Sequence, residues 1–265
     1  MSFAGQRTES NNLVDKPPTL MPNLRHFFAP PERWDKQKVV LDREETHHLS
    51  RVLRLGPGSR VVVCDGRGRA AAAVVQTLGS EGAILRLEEE GFPQRESPLG
   101  VTLGLALAKG EAMDQAVRQA TEMGVQRIIP FVSTYSEKFG PERAERRLAR
   151  WQRQAQESLK SCQRLYLPEI SSVQDFSGVL AGPEEAKFLC YEEKRSGGLR
   201  SDLGRARPAG VRVLIGPEGG FTPEEVKQAK EAGFRIMSLG PRRLRVETAA
   251  LAALAIFQYA WGDLG

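Results

Sequence analysis

From Leu99 onward, short apolar runs alternate with stretches of helical periodicity, a pattern that commits a chain to a mostly parallel α/β sheet. Val101 to Ala108 is an apolar run of strand length. Met113, Ala116, Val117 and Ala120 then recur at helical spacing, and Gly124 is placed to end that helix. Ile128-Ile129 with Phe131-Val132 predict the next strand. Pro141 to Ser161 predicts a longer amphipathic helix, with Leu148, Trp151, Ala155 and Leu159 along one stripe. Further strands are predicted at Lys187–Tyr191, Val211–Ile215 and Arg235–Leu239. Between the last two, Thr222 and Glu225 form a capping box, Pro223 takes the first helical position and Gly233 closes the helix. A small-residue helix from Glu247 to Trp261 ends the chain. Ligands in such sheets bind beyond the carboxyl ends of the strands.

Before Leu99 the pattern is different. Residues 1–20 are polar, contain proline and lack periodicity, and read as a disordered leader. Residues 21–92 are mostly short strands, at Val39–Leu41, Arg60–Cys64, Ala70–Leu78 and Ala83–Leu87, with one short helix over Arg43–Arg54. Gly56-Pro57-Gly58, Asp65-Gly66 and Gly79-Ser80 supply the turns. A compact β-barrel-like module is expected there, joined through a linker at residues 93–98 to a second domain over 99–265.

Composition narrows the function classes. A chain of 265 residues with 40% hydrophobic and 27% charged residues belongs with ordinary globular proteins, not disordered or fibrous ones. Cys64, Cys162 and Cys190 are odd in number and widely spaced, so neither a disulfide framework nor a Cys-x-x-Cys metal site is expected. With only three histidines, two of them adjacent, no metal centre is expected either. The longest apolar run, Ala249 to Phe257, falls far short of the roughly 20 residues of a membrane span. The N-terminus shows no signal-peptide pattern. A soluble, reduced, cytoplasmic protein with no membrane partner is the expectation. The net charge is +5, and three of those five charges arise after residue 204, where Arg242, Arg243 and Arg245 cluster. A basic surface of this kind suits a polyanion.

Two loops leave the carboxyl ends of predicted strands carrying unusual sequence. The first, Ile215-Gly216-Pro217-Glu218-Gly219-Gly220-Phe221, places three glycines within five residues, which lets backbone approach a ligand closely. It matches neither the dinucleotide fingerprint nor a phosphate-binding Walker loop, so an oxidoreductase or nucleotide-triphosphatase reading loses its support. The second runs Leu239-Gly240-Pro241-Arg242-Arg243-Leu244-Arg245-Val246-Glu247-Thr248, with Glu247 or Thr248 suited to cap the last helix. Cations are disfavoured at a helix N-terminus, so three arginines there point to an anion or developing negative charge nearby. The small-residue helix that follows suits a buried core helix or a subunit interface.

Taken in this order, Leu-Ile-Gly-Pro-Glu-Gly-Gly-Phe and Leu-Gly-Pro-Arg-x-Leu-Arg-x-Glu-Thr-Ala closely resemble the SPOUT methyltransferases. More narrowly, they resemble the ribosomal RNA small-subunit methyltransferase E family, which makes N3-methyluridine in 16S ribosomal RNA. The resemblance spans Arg25 to Gly265. It includes Arg25-His26-Phe27-Phe28, His48-Leu49-x-Arg51-Val52-Leu53-Arg54, Ala108-Lys109-Gly110 and Thr121-Glu122-Met123-Gly124-Val125. It implies an N-terminal PUA-like RNA-binding β-barrel domain and a C-terminal α/β domain whose parallel sheet carries a deep trefoil knot. It also implies a homodimer, S-adenosyl-L-methionine as cofactor, and 16S ribosomal RNA, in the small ribosomal subunit, as substrate.

Carried over residue by residue, the cofactor pocket is lined by Leu214, Ile215, Gly216, Glu218, Gly219, Gly220, Leu239, Gly240, Leu244 and Arg245. Two departures stand out. Arg243 occupies a position that is usually aliphatic, and Lys160-Ser161-Cys162-Gln163-Arg164 replaces Glu-Gln-Ser/Cys-Gly-Arg, so only Cys162 and Arg164 carry over. For the chemistry, Arg245 with Arg242 is expected to stabilise negative charge on uracil as N3 loses its proton. Glu247 is the candidate proton acceptor, with helix capping and arginine pairing as its structural alternative. RNA contacts are expected from Arg25, His26, Arg51, Arg54, Lys109 and Arg164. The competing readings are a transferase for a ribose 2′-hydroxyl and a non-catalytic RNA-binding assembly factor.

Overall fold

The computed structural model describes residues 24–192, 203–204 and 206–265. Residues 1–20, read above as a leader, lie outside the described residues. Two sheets organise the rest.

The first sheet has the order β1-β3-β4-β5-β2, with β1 His26–Phe28, β2 Lys38–Val40, β3 Arg60–Cys64, β4 Ala70–Gly79 and β5 Gly82–Glu90. All its pairings are antiparallel except β1 with β3, which is parallel. The barrel expected here is left open in its hydrogen bonding between β1 and β2, which are three-residue edges. Phe27, Val39, Leu49, Val61, Val63, Val75 and Leu85 form its core. The single helix expected over Arg43–Arg54 is instead an α-helical turn, α1 Arg43–His47, followed by a π-helical turn over His48–Val52. Asp42 caps α1 by accepting the Glu45 N–H at 2.8 Å. Arg54, with φ of 55°, turns the chain out of the helical run.

The second sheet is parallel throughout, in the order β11-β9-β10-β6-β7-β8. Its strands are β6 Gly100–Ala106, β7 Arg127–Phe131, β8 Glu169–Ile170, β9 Ala186–Cys190, β10 Gly210–Ile215 and β11 Arg235–Met237. The helices are α2 Ala112–Glu122, α3 Pro141–Cys162, α4 Phe176–Leu180, α5 Pro223–Glu231 and α6 Val246–Trp261. Both faces of the sheet are covered, which is why its strands read as continuous apolar runs. Val101, Leu103, Val213 and Ile215 pack with α2, α3 and α6 around Trp151 and Phe257. Leu189 and Leu214 point the other way and pack with α4, α5, Phe131 and Phe221. The capping box at α5 forms as the sequence predicts, and Glu225 and Thr222 satisfy each other's N–H groups. Among the described residues, no helix is long and apolar enough to cross a membrane.

The two sheets meet along α3, which packs against β1. Phe28, Cys64, Ala70, Leu159 and Leu165 form an apolar cluster at the junction. Lys160 adds a buried ionic latch, in which its ammonium donates to Glu45 of α1 and to Glu157 at 2.8 Å. Glu45 also accepts the Phe28 N–H at 3.1 Å. Burial opposes the charge on Lys160, but Glu45 and Glu157 outweigh it and hold the ammonium above its usual range. Burial also pushes the Glu45 carboxyl up, because it faces one ammonium where Lys160 faces two carboxylates. The stretch read as a linker has no helix or strand over residues 93–97, yet it is tied down. Ser97 donates to Gln258 at 2.6 Å, and Glu96 accepts from Arg164 at 2.6 Å.

Candidate functional site

The carboxyl ends of β9, β10 and β11 lie side by side, and the loops that leave them enclose a cleft. Its walls include Tyr191, Glu192, Ile215, Gly216, Gly220, Leu239, Gly240, Arg242, Leu244 and Ala249. Among the described residues, the lining is small and apolar along β10 and α6, and charged at Glu192 and Arg242. Gly220 has φ of 72°, and a Cβ there would stand 3.1 Å from the Glu192 carboxylate, so a side chain would close the cleft. A second cleft adjoins the first and shares Leu244 and Val246 with it. It is polar, with Lys109, Gln115, Glu218, Arg245 and Glu247 among its walls.

Of the residues expected to hold a cofactor, Ile215, Gly216, Gly220, Leu239, Gly240 and Leu244 line the first cleft together. Four others do not line it. Leu214 has its side chain fully buried in the opposite core, because alternate strand residues point to opposite faces. Glu218 turns into the second cleft, where its carboxylate accepts the Lys109 N–H at 2.9 Å and fastens the β6–α2 loop to the glycine loop. Gly219 lies against the side chain of Tyr135. Arg245 lines the second cleft, not the first.

The catalytic candidates separate in the same way. Arg242 borders the first cleft, while Arg245 and Glu247 border the second. Neither Glu247 nor Thr248 caps α6, because the helix begins at Val246, with Arg245 at the N-cap and no side-chain cap bond. Glu247 therefore sits inside the first turn, half-buried, with no ion pair to the described residues. Arg243, at the usually aliphatic position, reaches Glu192 across the mouth of the clefts at 3.4 Å.

The RNA-contact candidates require one correction. Arg164 is only 3% exposed, and its guanidinium is engaged by Glu96 and by the carbonyls of Thr121 at 2.8 Å and Val125 at 3.1 Å. It is buried within the fold, out of reach of a phosphate at the surface. Arg25, Arg51, Arg54 and Lys109 are exposed. His26 is half-buried, and burial with the nearby Arg95 lowers its pKa, so it presents a neutral imidazole at pH 7.

Sequence reasoning missed Tyr191 and Glu192. Their signal was their place, since they directly follow an apolar strand at the edge where such sheets bind ligands. Burial disfavours the thiolate at all three cysteines. Burial pushes Cys64 and Cys190 up to about 12, and Cys162 also rises.

Comparison with known proteins gives the chain its relatives. A family model described as an RNA methyltransferase domain matches residues 95–258, and one described as an RNA methyltransferase PUA domain matches residues 41–88. The Ribosomal RNA small subunit methyltransferase E of Synechocystis is 35% identical over 229 residues, 85% of this chain and 74% of the relative. That of Bacillus subtilis is 30% identical, over 82% of this chain and 88% of its own. The crystal structure of the Neisseria gonorrhoeae enzyme of the same name, bound to S-adenosyl methionine, superposes with a TM-score of 0.82 at 32% identity, covering 92% of this chain and all of that one. Motifs, fold and relatives agree, and the chain belongs to the ribosomal RNA small subunit methyltransferase E family.

Proposed function

We propose that this protein transfers a methyl group from S-adenosyl-L-methionine to N3 of a uridine in 16S ribosomal RNA of the small subunit. The observation that carries the reading is the pair of adjoining clefts, one built from glycine and apolar residues, the other from arginine, lysine and carboxylate, meeting at Leu244 and Val246.

The first cleft fits the cofactor. Gly216, Gly220 and Gly240 leave room for a bulky adenosyl group beside Ile215, Leu239 and Leu244. Glu192 supplies a carboxylate for a ligand bearing sulfonium and ammonium charge. When bound, the cofactor supplies an electrophilic methyl carbon. The chain's own residues must then present a nucleophile. Neutral uridine is a poor nucleophile at N3, so Arg245 acts by stabilising the uracil oxygens as negative charge develops. Glu247, free of a capping or pairing duty among the described residues, takes the proton. A positioned base contributes about 10²–10⁴-fold, whereas alignment of two reactants supplies about 7–11 kcal/mol. Holding the two clefts in register is therefore the larger part of the catalysis. C5 methylation of uracil would need an activated thiolate, and the raised cysteine pKa values favour a ring nitrogen.

Residues 21–92 serve as the RNA-binding PUA-like module and 99–265 as the transferase domain, whose parallel sheet carries a deep trefoil knot. The protein works as a homodimer. Leu251, Ala252, Ala255 and Ile256 are half-exposed along α6, and Tyr259 beside them is 73% exposed, an apolar face suited to a second copy.

The test is transfer of radiolabel from S-adenosylmethionine to unmodified small ribosomal subunits, with digestion to nucleosides. Label in 3-methyluridine is the expected result. Label in a ribose-methylated nucleoside would overturn the N3 assignment, and cofactor binding without transfer to any RNA would overturn the enzyme.

A further inference from the structure

The loop after β7 carries an aromatic side chain that nothing in the fold uses. Tyr135 is 55% exposed and makes no hydrogen bond or ring contact with the described residues. A lone exposed aromatic is ordinary, but the backbone beneath this one is held with care. The Ser133 N–H donates to the Ser136 hydroxyl at 3.0 Å, with both serines buried. The Thr134 N–H and hydroxyl both donate to Glu225, at 2.8 Å and 3.1 Å, and Glu225 is itself a buried part of the α5 capping box. The Glu137 N–H donates to the Leu107 carbonyl at 3.0 Å, which ties the loop to the end of β6. A rigid, buried frame thus presents an exposed ring.

The frame also sets where that ring stands. Tyr135 lies on Gly219, where an added Cβ would come within 2.8 Å of the tyrosine Cβ. Gly219 separates Glu218, a wall of the polar cleft, from Gly220, a wall of the cofactor cleft. Tyr135 therefore stands against the glycine loop, one residue from a wall of each cleft.

We propose that Tyr135 is a positioning residue that stacks on an unpaired base of the substrate RNA as it enters the polar cleft, and that Gly219 lacks a side chain to let the ring stand there. An exposed ring near a cleft with lysine and arginine in its walls suits single-stranded nucleic acid, since every base offers a face to stack on while the cations take the phosphates. A base on which a ring nitrogen reacts must leave its own stack, and an aromatic surface compensates for that loss.

The inference rests on the proposed function, and the experiment separates the two. Full-length protein, with Tyr135→Ala and Tyr135→Phe variants, is assayed on unmodified small subunits, and cofactor affinity is measured separately by calorimetry. The Ala variant is expected to raise KM for subunits about 5- to 150-fold, the range that stacking of about 1–3 kcal/mol converts to. Phe is expected to stay within about twofold of wild type, and the cofactor Kd to stay unchanged in both. Gly219→Ala should raise KM in the wild-type background and add little in Tyr135→Ala, as expected if the added Cβ acts by displacing the ring. An unchanged KM in Tyr135→Ala, a Phe variant as impaired as Ala, or a parallel loss of cofactor affinity would each overturn the inference. Absence of transfer by the wild type would overturn the proposed function instead.

Discussion

Arginine is used in two opposite ways in the transferase half of the molecule. Arg164 and Arg212 are almost fully buried, and each is held by a carboxylate and two backbone carbonyls. Arg164 engages Glu96 and two backbone carbonyls, and Arg212 engages Glu184 at 2.9 Å together with the carbonyls of Val179 and Ala181. Arg242 and Arg245 line the clefts and make no hydrogen bond or ion pair with the described residues. A buried guanidinium without partners would cost several kcal/mol, so the fold supplies carboxylate and carbonyl groups to the first pair. It leaves the second pair exposed and unpaired among the described residues, near the positive end of α6, where an incoming anion would be favoured. On the proposed function, the buried pair is architecture and the exposed pair is the place for substrate.

The sharpest way to break that distinction is Arg164→Met. Removing one partner of a buried pair leaves Glu96 and two carbonyls unsatisfied, and a loss of about 3–5 kcal/mol in urea unfolding is expected. RNA affinity of the folded protein should not change, and a loss of RNA binding at intact stability would return Arg164 to the substrate surface. Arg245→Ala is expected to do the reverse. It should lower kcat about 10²–10³-fold by removing charge stabilisation while leaving the melting temperature in place. A fall in both would make Arg245 a structural residue like Arg164.

The exposed arginines of the first sheet test the same contrast more gently. Arg51→Ala and Arg54→Ala should each reduce the slope of log affinity for RNA against log salt concentration by about 0.7–0.9 if the side chain neutralises a phosphate. Slopes unchanged in both would remove the first sheet from the RNA interface. The smallest effect concerns pH. Burial alone would raise the Glu184 carboxyl, but the hydrogen bonds from Arg212 and Thr102 outweigh it and hold the pKa below the usual carboxylate range. A carboxylate with a depressed folded pKa contributes stability above its unfolded value, near 4.3, and loses it as pH falls through the folded value. The stability gap between wild type and Glu184→Gln should therefore be full at pH 7 and narrow below about pH 4. A gap that stays constant to pH 3 would mean the pair contributes no charge-dependent stability.

Much of this was legible from local pattern. Trp151, Ala155 and Leu159 keep helical spacing, Val211–Ile215 is a plain apolar strand, and Thr222, Pro223 and Glu225 mark a helix start whatever the surroundings. The loops with Gly216–Gly220 and Leu239–Arg245 stood out because glycine and arginine are costly in those places. What escaped was either too short or too distant in sequence. The strands His26–Phe28 and Glu169–Ile170 have three and two residues, and α4 has five, below the length at which a period can be seen. Arg164 reads as one more surface cation until Glu96, 68 residues away, is placed beside it. Leu214 directly precedes the cleft residues Ile215 and Gly216 in sequence, and only the two-residue period of the strand turns it away.

The latch of Lys160 with Glu45 and Glu157 has a consequence for how the substrate is chosen. A buried ion pair between α1 and α3, backed by the apolar cluster of Phe28 and Leu159, makes the two sheets one caliper with a fixed gap. On the proposed function, an RNA held by the first sheet would bring a nucleotide at one set distance and angle into the polar cleft. Selection would then work by measurement, through the span between anchoring point and target base, and a loosened hinge would blur the choice of nucleotide without touching a group at the site of transfer.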